Sequence, residues 1–168
     1  MLNPNPATQG HSARWLIREA VKTALRDAPE LFGLPIIVNP REASILAVGK
    51  RVLVIKEQSD ALQSQTGTLK SGFSEKRIFN FSVACVSRVE GADDDVDLLH
   101  VAARKAVFDC FEPLRKVVQS LEYKENNVTF EVENLDIDGA LVLSSWEVSY
   151  VKKRTETLEV SDNTENPY

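Results

Sequence analysis

Apolar side chains recur with helical spacing in two parts of the chain. Over residues 13–28 they return every three or four positions, which predicts an amphipathic helix that ends before Pro29. A second and longer apolar stripe covers residues 99–121, after three aspartates at residues 93–95 that favour a helix N-terminus. Pro113 lies inside this stripe and is expected to bend the helix or to divide it.

Other segments alternate between apolar and polar residues, a pattern that is typical of strands with one buried side. Residues rich in turn chemistry separate some of these segments from their neighbours, at residues 125–127 and 136–139. The predicted strands cover residues 36–38, 51–56, 76–89, 128–135 and 140–151.

This order of elements predicts an α+β fold. Two helices with one apolar face each would pack on one face of a mostly antiparallel sheet of four to five strands, which gives a two-layer domain. We expect a single domain over residues 13–154, an extended lead-in at residues 1–12 and a flexible, acidic tail at residues 155–168.

One segment does not follow the strand pattern. Residues 57–75 (EQSDALQSQTGTLKSGFSE) join two predicted strands, but they are polar and rich in small side chains. Hairpin loops are usually much shorter, and long surface loops commonly serve in binding. We therefore expect a long loop that contacts a partner. Six of its residues are candidate protein-interface positions: Gln58, Leu62, Gln65, Thr68, Lys70 and Phe73.

Two features near the C-terminus add to the candidate interface. Trp146 is either structural or part of a protein interface, where aromatic residues are enriched. The basic run Lys152, Lys153 and Arg154 is either a solvated strand end or a contact with an acidic neighbour or with DNA phosphate.

Composition narrows the class of partner. The 168 residues suit one domain, and the net charge of −5 argues against binding of free nucleic acid, although an acidic wall past which DNA slides is compatible with it. Neither a signal peptide nor an apolar run of membrane-spanning length is visible, which predicts a cytoplasmic site of synthesis. Cys85 and Cys110 both lie in apolar patterns and are expected in the core.

Signatures of catalysis are scarce. The chain has two histidines, His11 and His100, and neither lies in a local motif of a Ser-His-Asp or Cys-His site. The acidic residues at 93–97 and 136–138 are better explained as a helix start and a turn than as a cation site. The sequence thus predicts no catalytic residue, no cofactor and no metal site, and it favours a protein that is not an enzyme.

The order of elements resembles that of the tail terminator proteins of long-tailed bacteriophages, the lambda type among them. The shared features are a helix after a short lead-in, a strand pair with an over-long polar loop, and a long second helix that begins with acidic residues. A final hairpin follows, and it ends in Ser-Ser-Trp-Glu-Val-Ser-Tyr-Val at residues 144–151. The resemblance covers most of residues 12–154 and depends on topology and pattern.

This resemblance implies a virion structural protein without catalytic residues. In that family a homohexameric ring caps the tail tube, ends its polymerisation and provides the surface that joins the head. The partners would be further copies of the chain, the tail tube protein and head–tail connector proteins, while DNA passes through the lumen without specific binding. The protein would lie in the host cytoplasm during assembly and then in the virion, without contact to a membrane.

Three other interpretations stay open from the sequence. A head–tail adaptor or tail-completion protein would have the same two-layer shape. A small cytoplasmic α+β enzyme with a dispersed active site and a ligand-binding module belong to different classes, and an apolar pocket with converging polar groups would favour either of them.

Overall fold

The structure is a computed structural model, and it describes residues 12–40, 49–68, 72–131 and 139–154. The predicted tail, the turn at residues 136–138 and all of the lead-in except Ser12 lie outside these residues. The helices are α1 (Ala13–Asp27), a short 3-10 helix (Pro29–Leu31) and α2 (Ala92–Leu114), and the strands are β1 (Ile36–Val38), β2 (Arg51–Thr68), β3 (Gly72–Ser87), β4 (Glu122–Glu131) and β5 (Ala140–Arg154).

Both helices begin and end where local chemistry favours it. The Ser12 side chain accepts a hydrogen bond from the backbone N–H of Trp15 at 3.2 Å and so caps α1. Helix α2 starts after Gly91, whose φ of 73° is left-handed, and carries three aspartates in its first turn. Pro113 lies in its last turn, and the helix ends one residue later. Pro113 therefore marks the end of the helix and does not divide it into two pieces.

The sheet has five strands in the order β1-β2-β3-β5-β4. Strand β1 runs parallel to β2, and every other neighbouring pair is antiparallel. Helices α1 and α2 contact each other, and both contribute to one core with the same face of the sheet. The predicted α+β class and the mostly antiparallel sheet are confirmed.

The main core lies between the helices and this face of the sheet. Trp146 is at its centre, where it is 1% exposed and contacts the rings of Phe81, Phe108 and Phe111. Its indole Nε1 donates a hydrogen bond to Ser144 Oγ at 3.0 Å, so the one polar atom of the ring is satisfied. The alternation predicted for the final strand is confirmed, with its buried face formed by Val142, Ser144, Trp146, Val148 and Tyr150.

A smaller apolar cluster lies on the opposite face of the sheet. Its buried members are Val52, Val54 and Ala84, and side chains from β1 and β5 pack against them. In this part of the sheet, β2 and β3 are therefore buried on both faces.

The prediction of a long loop over residues 57–75 is wrong for the part of this segment that the structure describes. Strand β2 continues to Thr68 and β3 already begins at Gly72, with paired residues along the whole extension. The polar residues there are mainly Ser, Thr and Gln. Because neither face of the strand is buried, apolar and polar side chains do not alternate, and the sequence pattern does not indicate a strand. Backbone pairing with β3, and of β3 with β5, holds them extended.

Other boundaries also differ from the prediction. The turn expected at residues 125–127 is wrong, because these residues lie inside β4, where a register shift against β5 falls between Glu125 and Asn127. Strand β5 runs three residues further than expected, to Arg154, because β3 provides partners as far as Phe73.

Candidate assembly interface

The long β2–β3 hairpin leaves the helix-covered part of the sheet at Glu57. The Glu57 backbone N–H donates to Asn39 Oδ1 at 2.8 Å, and Asn39 Nδ2 donates to Glu57 Oε2 at 2.7 Å. Arg14 and Arg18 of α1 lie 3.7 and 3.6 Å from the same carboxylate. Glu57 therefore joins the end of β1, the start of α1 and β2 at one point, and Gln58 bulges out immediately after it.

A polar network fixes the next part of the hairpin to β5. Arg77 Nε donates to Asp60 Oδ1 at 3.1 Å, and its Nη2 donates to the Asp60 carbonyl at 2.9 Å. The Tyr150 hydroxyl lies 3.0 Å from both carboxylate oxygens of Asp60. Arg77 Nη1 also donates to Glu75 Oε2 at 3.3 Å, so one guanidinium connects a carboxylate of β2 with one of its own strand, β3.

The pKa values of this network follow its geometry. Burial, together with the charge and hydrogen bond of Asp60, raises the pKa of Tyr150 to about 12, and the nearby Arg77 opposes this. The hydrogen bond to Asp60 raises the pKa of Arg77, against the opposing effect of burial. Tyr150 is therefore a neutral hydrogen-bond donor at neutral pH, and the network holds the hairpin without an unpaired buried charge.

Beyond Asp60 the β2 strand of the hairpin is exposed to solvent, while Glu75 of β3 stays buried beside Arg77. We call residues 61–68 of β2 and 72–76 of β3 the distal hairpin. Every one of residues 61–68 is exposed, so neither face of β2 is covered there. Gly67 has a φ of +108°, and a Cβ at that position would come within 2.9 Å of Phe73 Cα, which explains why glycine is needed near the tip.

The distal part of β2 also has an open edge. Strand β1 pairs only with Leu53, Val54 and Ile55, and β3 lies on the other side of β2. Among the described strands, none pairs with the outer edge of β2 beyond Glu57. Over residues 59–67, no described strand pairs with the backbone N–H and C=O groups that point away from β3, so another strand can bind them.

The structure brings most of the candidate interface residues to this hairpin. Gln58, Leu62, Gln65 and Thr68 are exposed along β2, and Phe73 is half-buried in β3 opposite Gly67. Lys152 is exposed on β5, and the backbones of Lys153 and Arg154 continue this strand beside β3. Lys70 lies outside the described residues.

Trp146 does not belong with them. It is buried at the centre of the core, so its candidate role in an interface is corrected to a structural one. The sequence pattern itself placed it on the buried face of the last strand, and that signal outweighs the general enrichment of tryptophan at interfaces.

A second exposed region, which the sequence reasoning missed, lies on the opposite edge of the sheet. Strand β4 pairs only with β5 among the described strands, and its Val128 and Phe130 are 46% and 51% exposed. The neighbouring helix α2 exposes Leu98 and Val101. The signal in the sequence is that apolar residues occupy these positions of α2 in addition to its buried stripe.

The described residues offer little for catalysis. A groove of about 300 Å³ lies between α1, the 3-10 helix and α2, and Cys110 is its one thiol. Burial and the nearby Asp109 raise the pKa of Cys110 to about 12, so the thiol is protonated at neutral pH and is a poor nucleophile. Burial, against the opposing charge of Glu125, lowers the pKa of His100, which is therefore neutral at that pH.

The described part of the chain holds neither a cluster of metal-ligating side chains nor a membrane-spanning helix. Its histidine, cysteine, aspartate and glutamate side chains form no group of three or more that could hold a metal ion. None of the helices in residues 12–40, 49–68, 72–131 and 139–154 has the length and apolarity that crossing a membrane requires.

Comparison with known proteins gives a likeness of fold. No protein-family model and no curated protein matches the chain. Among solved structures, the chain is similar to the sheath/tube terminator of an extracellular contractile injection system, PVC, determined by cryo-EM in the extended state. The TM-score is 0.50 at 10% sequence identity, over 90% of this chain and 63% of the other, so this chain spans less than two thirds of the length of that terminator. The chain thus has a fold similar to that of a terminator protein.

Proposed function

We propose that this protein is a structural component of a tail-like particle, in which it caps the tail tube as a ring and ends tube polymerisation. The observation that carries the proposal is the distal hairpin, which extends beyond the helix-covered sheet with both faces of β2 exposed. Such an element contributes little to the fold and is suited to a partner. The similarity of fold to a sheath/tube terminator supports the choice of partner.

In a phage particle the same ring would provide the surface that joins the head. Its partners would be other copies of the chain in a homohexamer, the tail tube protein and head–tail connector proteins. The net charge of −5 suits a lumen through which DNA passes without binding. The basic run from Lys152 to Arg154 lies beside β3 in the distal part of the sheet and would meet an acidic neighbour there.

A second form of this function has a specific observation in its favour. The similar structure belongs to a contractile injection system, and that terminator is named for a sheath as well as for a tube. This protein would then contact a contractile sheath in addition to the tube end. A head–tail adaptor of the same shape is the remaining alternative, and it would bind a completed tail without limiting tube length.

Electron microscopy of particles assembled with and without the protein tests the proposal. Without it, we expect tubes of variable length, and expression of the wild-type chain in trans restores a uniform length. A head–tail adaptor would instead leave tubes of uniform length that lack heads. Tubes of uniform length on complete particles, in the absence of the protein, would contradict both functions.

A further inference from the structure

Among the strands that the structure describes, the sheet ends in two open edges that differ from each other. One is the outer edge of β2 beyond Glu57, and the other is the outer edge of β4. Each edge carries an exposed apolar side chain, Leu62 on β2 at 50% and Phe130 on β4 at 51%, with Val128 beside the latter. Open edges of this kind are sites for strand addition.

Of the features that usually prevent such addition, the β2 edge has bulges at Gln58 and Gln63 but lacks proline and lysine. Residues 57–68 (EQSDALQSQTGT) contain no proline and no basic residue. Asp60, the one acidic residue beyond Glu57, is held by Arg77 and Tyr150. A long strand whose edge has neither proline nor a basic residue is expected to be covered in the working assembly, because exposed edges of this kind otherwise favour aggregation.

The apolar residues of the two edges lie on the same face of the sheet. Leu62 pairs with Arg77, and Arg77 pairs with Tyr150, whose side chain lies on the helix-covered face. Val128 pairs with Ser144 and Phe130 pairs with Val142 on that same face. Directly opposite residues share a face, so a continuous sheet from one copy to the next would bring these apolar side chains together.

Strand directions also agree with this arrangement. Strand β2 is antiparallel to β3, β3 to β5 and β5 to β4, so β4 runs antiparallel to β2. When a second copy continues the sheet in the same orientation, its β4 therefore lies antiparallel to the open edge of β2. A centred register places residues 59–67 beside residues 123–131 of the next copy and sets Leu62 opposite Val128.

We propose that the open edge of β2 binds strand β4 of a second copy of this chain, in an antiparallel, head-to-tail contact. The occupant is a second copy because the chain itself carries both halves of the contact, with matching direction and with apolar residues on the same face. Unlike surfaces that join head to tail form rings when the rotation closes. The inference rests on the proposed ring and adds the surface by which its subunits join.

The pairing has a geometric consequence. Within one sheet, Val128 is level with Ile55 through Ser144 and Val83, whereas the proposed contact sets it opposite Leu62, which lies further along β2. Each copy must therefore be displaced along the strand direction relative to the next. The strands of the ring would be tilted from its axis, as they are in closed barrels.

Disulfide cross-linking between separately labelled copies tests the contact. Leu62→Cys and Val128→Cys are made in a Cys110→Ala background, and Cys85 is left in place because it is fully buried. Opposite residues of an antiparallel pair lie at a Cβ separation that a disulfide can bridge. Upon mixing and mild oxidation, we expect a band at twice the subunit mass, whereas either variant alone should stay at the subunit mass.

The matched control replaces Val128→Cys with Leu98→Cys, an exposed apolar position on α2 instead of on the edge strand. This mixture should give no dimer. A chain that carries both Leu62→Cys and Val128→Cys should give a ladder of bands that ends at the number of subunits in the ring. Leu62→Lys should abolish oligomers, while circular dichroism shows an unchanged fold.

The outcomes separate this inference from the proposed function. Rings without any Leu62–Val128 cross-link, or rings that persist in Leu62→Lys, would overturn the contact and leave the ring proposal standing. A dimer from Leu62→Cys alone would show that the β2 edge pairs with itself, which overturns the head-to-tail arrangement. A wild-type chain that stays monomeric at high concentration, without cross-links, would overturn the contact and count against the ring.

Discussion

Strands β2 and β3 pass through two regions of the molecule that share regular backbone pairing but differ in how far β2 is buried. In the helix-covered region, residues 52–55 and 81–87 are buried on both faces of the sheet. In the distal hairpin, residues 61–68 are exposed on both faces. Burial of apolar surface therefore stabilises the first region, while backbone hydrogen bonds and the contact between Arg77 and Glu75 hold the second. The difference indicates that the first region forms the fold and that the second is available for assembly.

The largest change in stability is expected from a substitution in the helix-covered region. Trp146→Ala removes a side chain that contacts three aromatic rings and donates to Ser144 Oγ. We expect a loss of about 3–5 kcal/mol in the free energy of unfolding, because the cavity cannot fully collapse. Urea denaturation measures this loss. A change below ~1 kcal/mol would show that the covered region is not the stabilising one.

A smaller effect is expected at the border between the two regions. Asp60→Ala removes the acceptor for both Arg77 and Tyr150, and it leaves the buried Tyr150 hydroxyl without its partner. The expected cost is about 1–3 kcal/mol in the free energy of unfolding, which the same denaturation experiment measures. The substitution Asp60→Asn keeps one acceptor oxygen and should cost less, and an equal cost would contradict a role in hydrogen bonding.

The Tyr150 hydroxyl, at the border between the two regions, makes the stability of the fold depend on pH. Its pKa is raised from the ordinary value of 10.0 to about 12 in the folded chain. The folded state therefore binds the proton more tightly than the unfolded state does, so this stabilisation is present below pH about 10 and is lost as the pH rises toward 12. Between these values, the wild type should lose stability more steeply than Tyr150→Phe, and parallel curves would contradict the assignment.

The smallest effect on stability is expected in the distal hairpin. Leu62→Lys changes a half-exposed side chain on a strand with no cover, so the free energy of unfolding should change by no more than ~0.5 kcal/mol. A matched change in the covered region, Leu53→Lys, places a charge in the core and should prevent folding. A large decrease in the free energy of unfolding of Leu62→Lys would show that the hairpin is part of the core.

The same contrast explains what could be predicted from the sequence. In the covered region, the apolar stripe of α1 and the alternation along β5 predicted both the elements and their buried faces. In the distal hairpin, neither face is buried, so polar residues such as Ser64, Gln65 and Thr66 carry no alternation and looked like a loop. Their partners in β3 are ten or so positions away, which a local pattern does not encode.

The candidate interface divides in the same way. The sequence predicts Gln58, Leu62 and Gln65 in a loop, whereas they lie on an open strand edge, a difference that only the backbone pairing reveals. The sequence does not indicate that the edge of β4 is exposed, because Val128 and Phe130 alternate with polar residues in the same way as core residues do. Only the sheet order, in which β4 is the last strand, shows that no described element beyond it covers them.

Shortening the hairpin tests the central claim that the distal region serves assembly and not stability. Residues 63–76 are replaced with Asn-Gly, a two-residue hairpin turn that keeps the pair Leu62–Arg77. Light scattering at high concentration and thermal unfolding are then measured on this variant and on the wild type. We predict an oligomeric wild type and a folded, monomeric variant that unfolds within a few degrees of it. A variant that keeps the wild-type oligomer, or one that does not fold, would contradict the account.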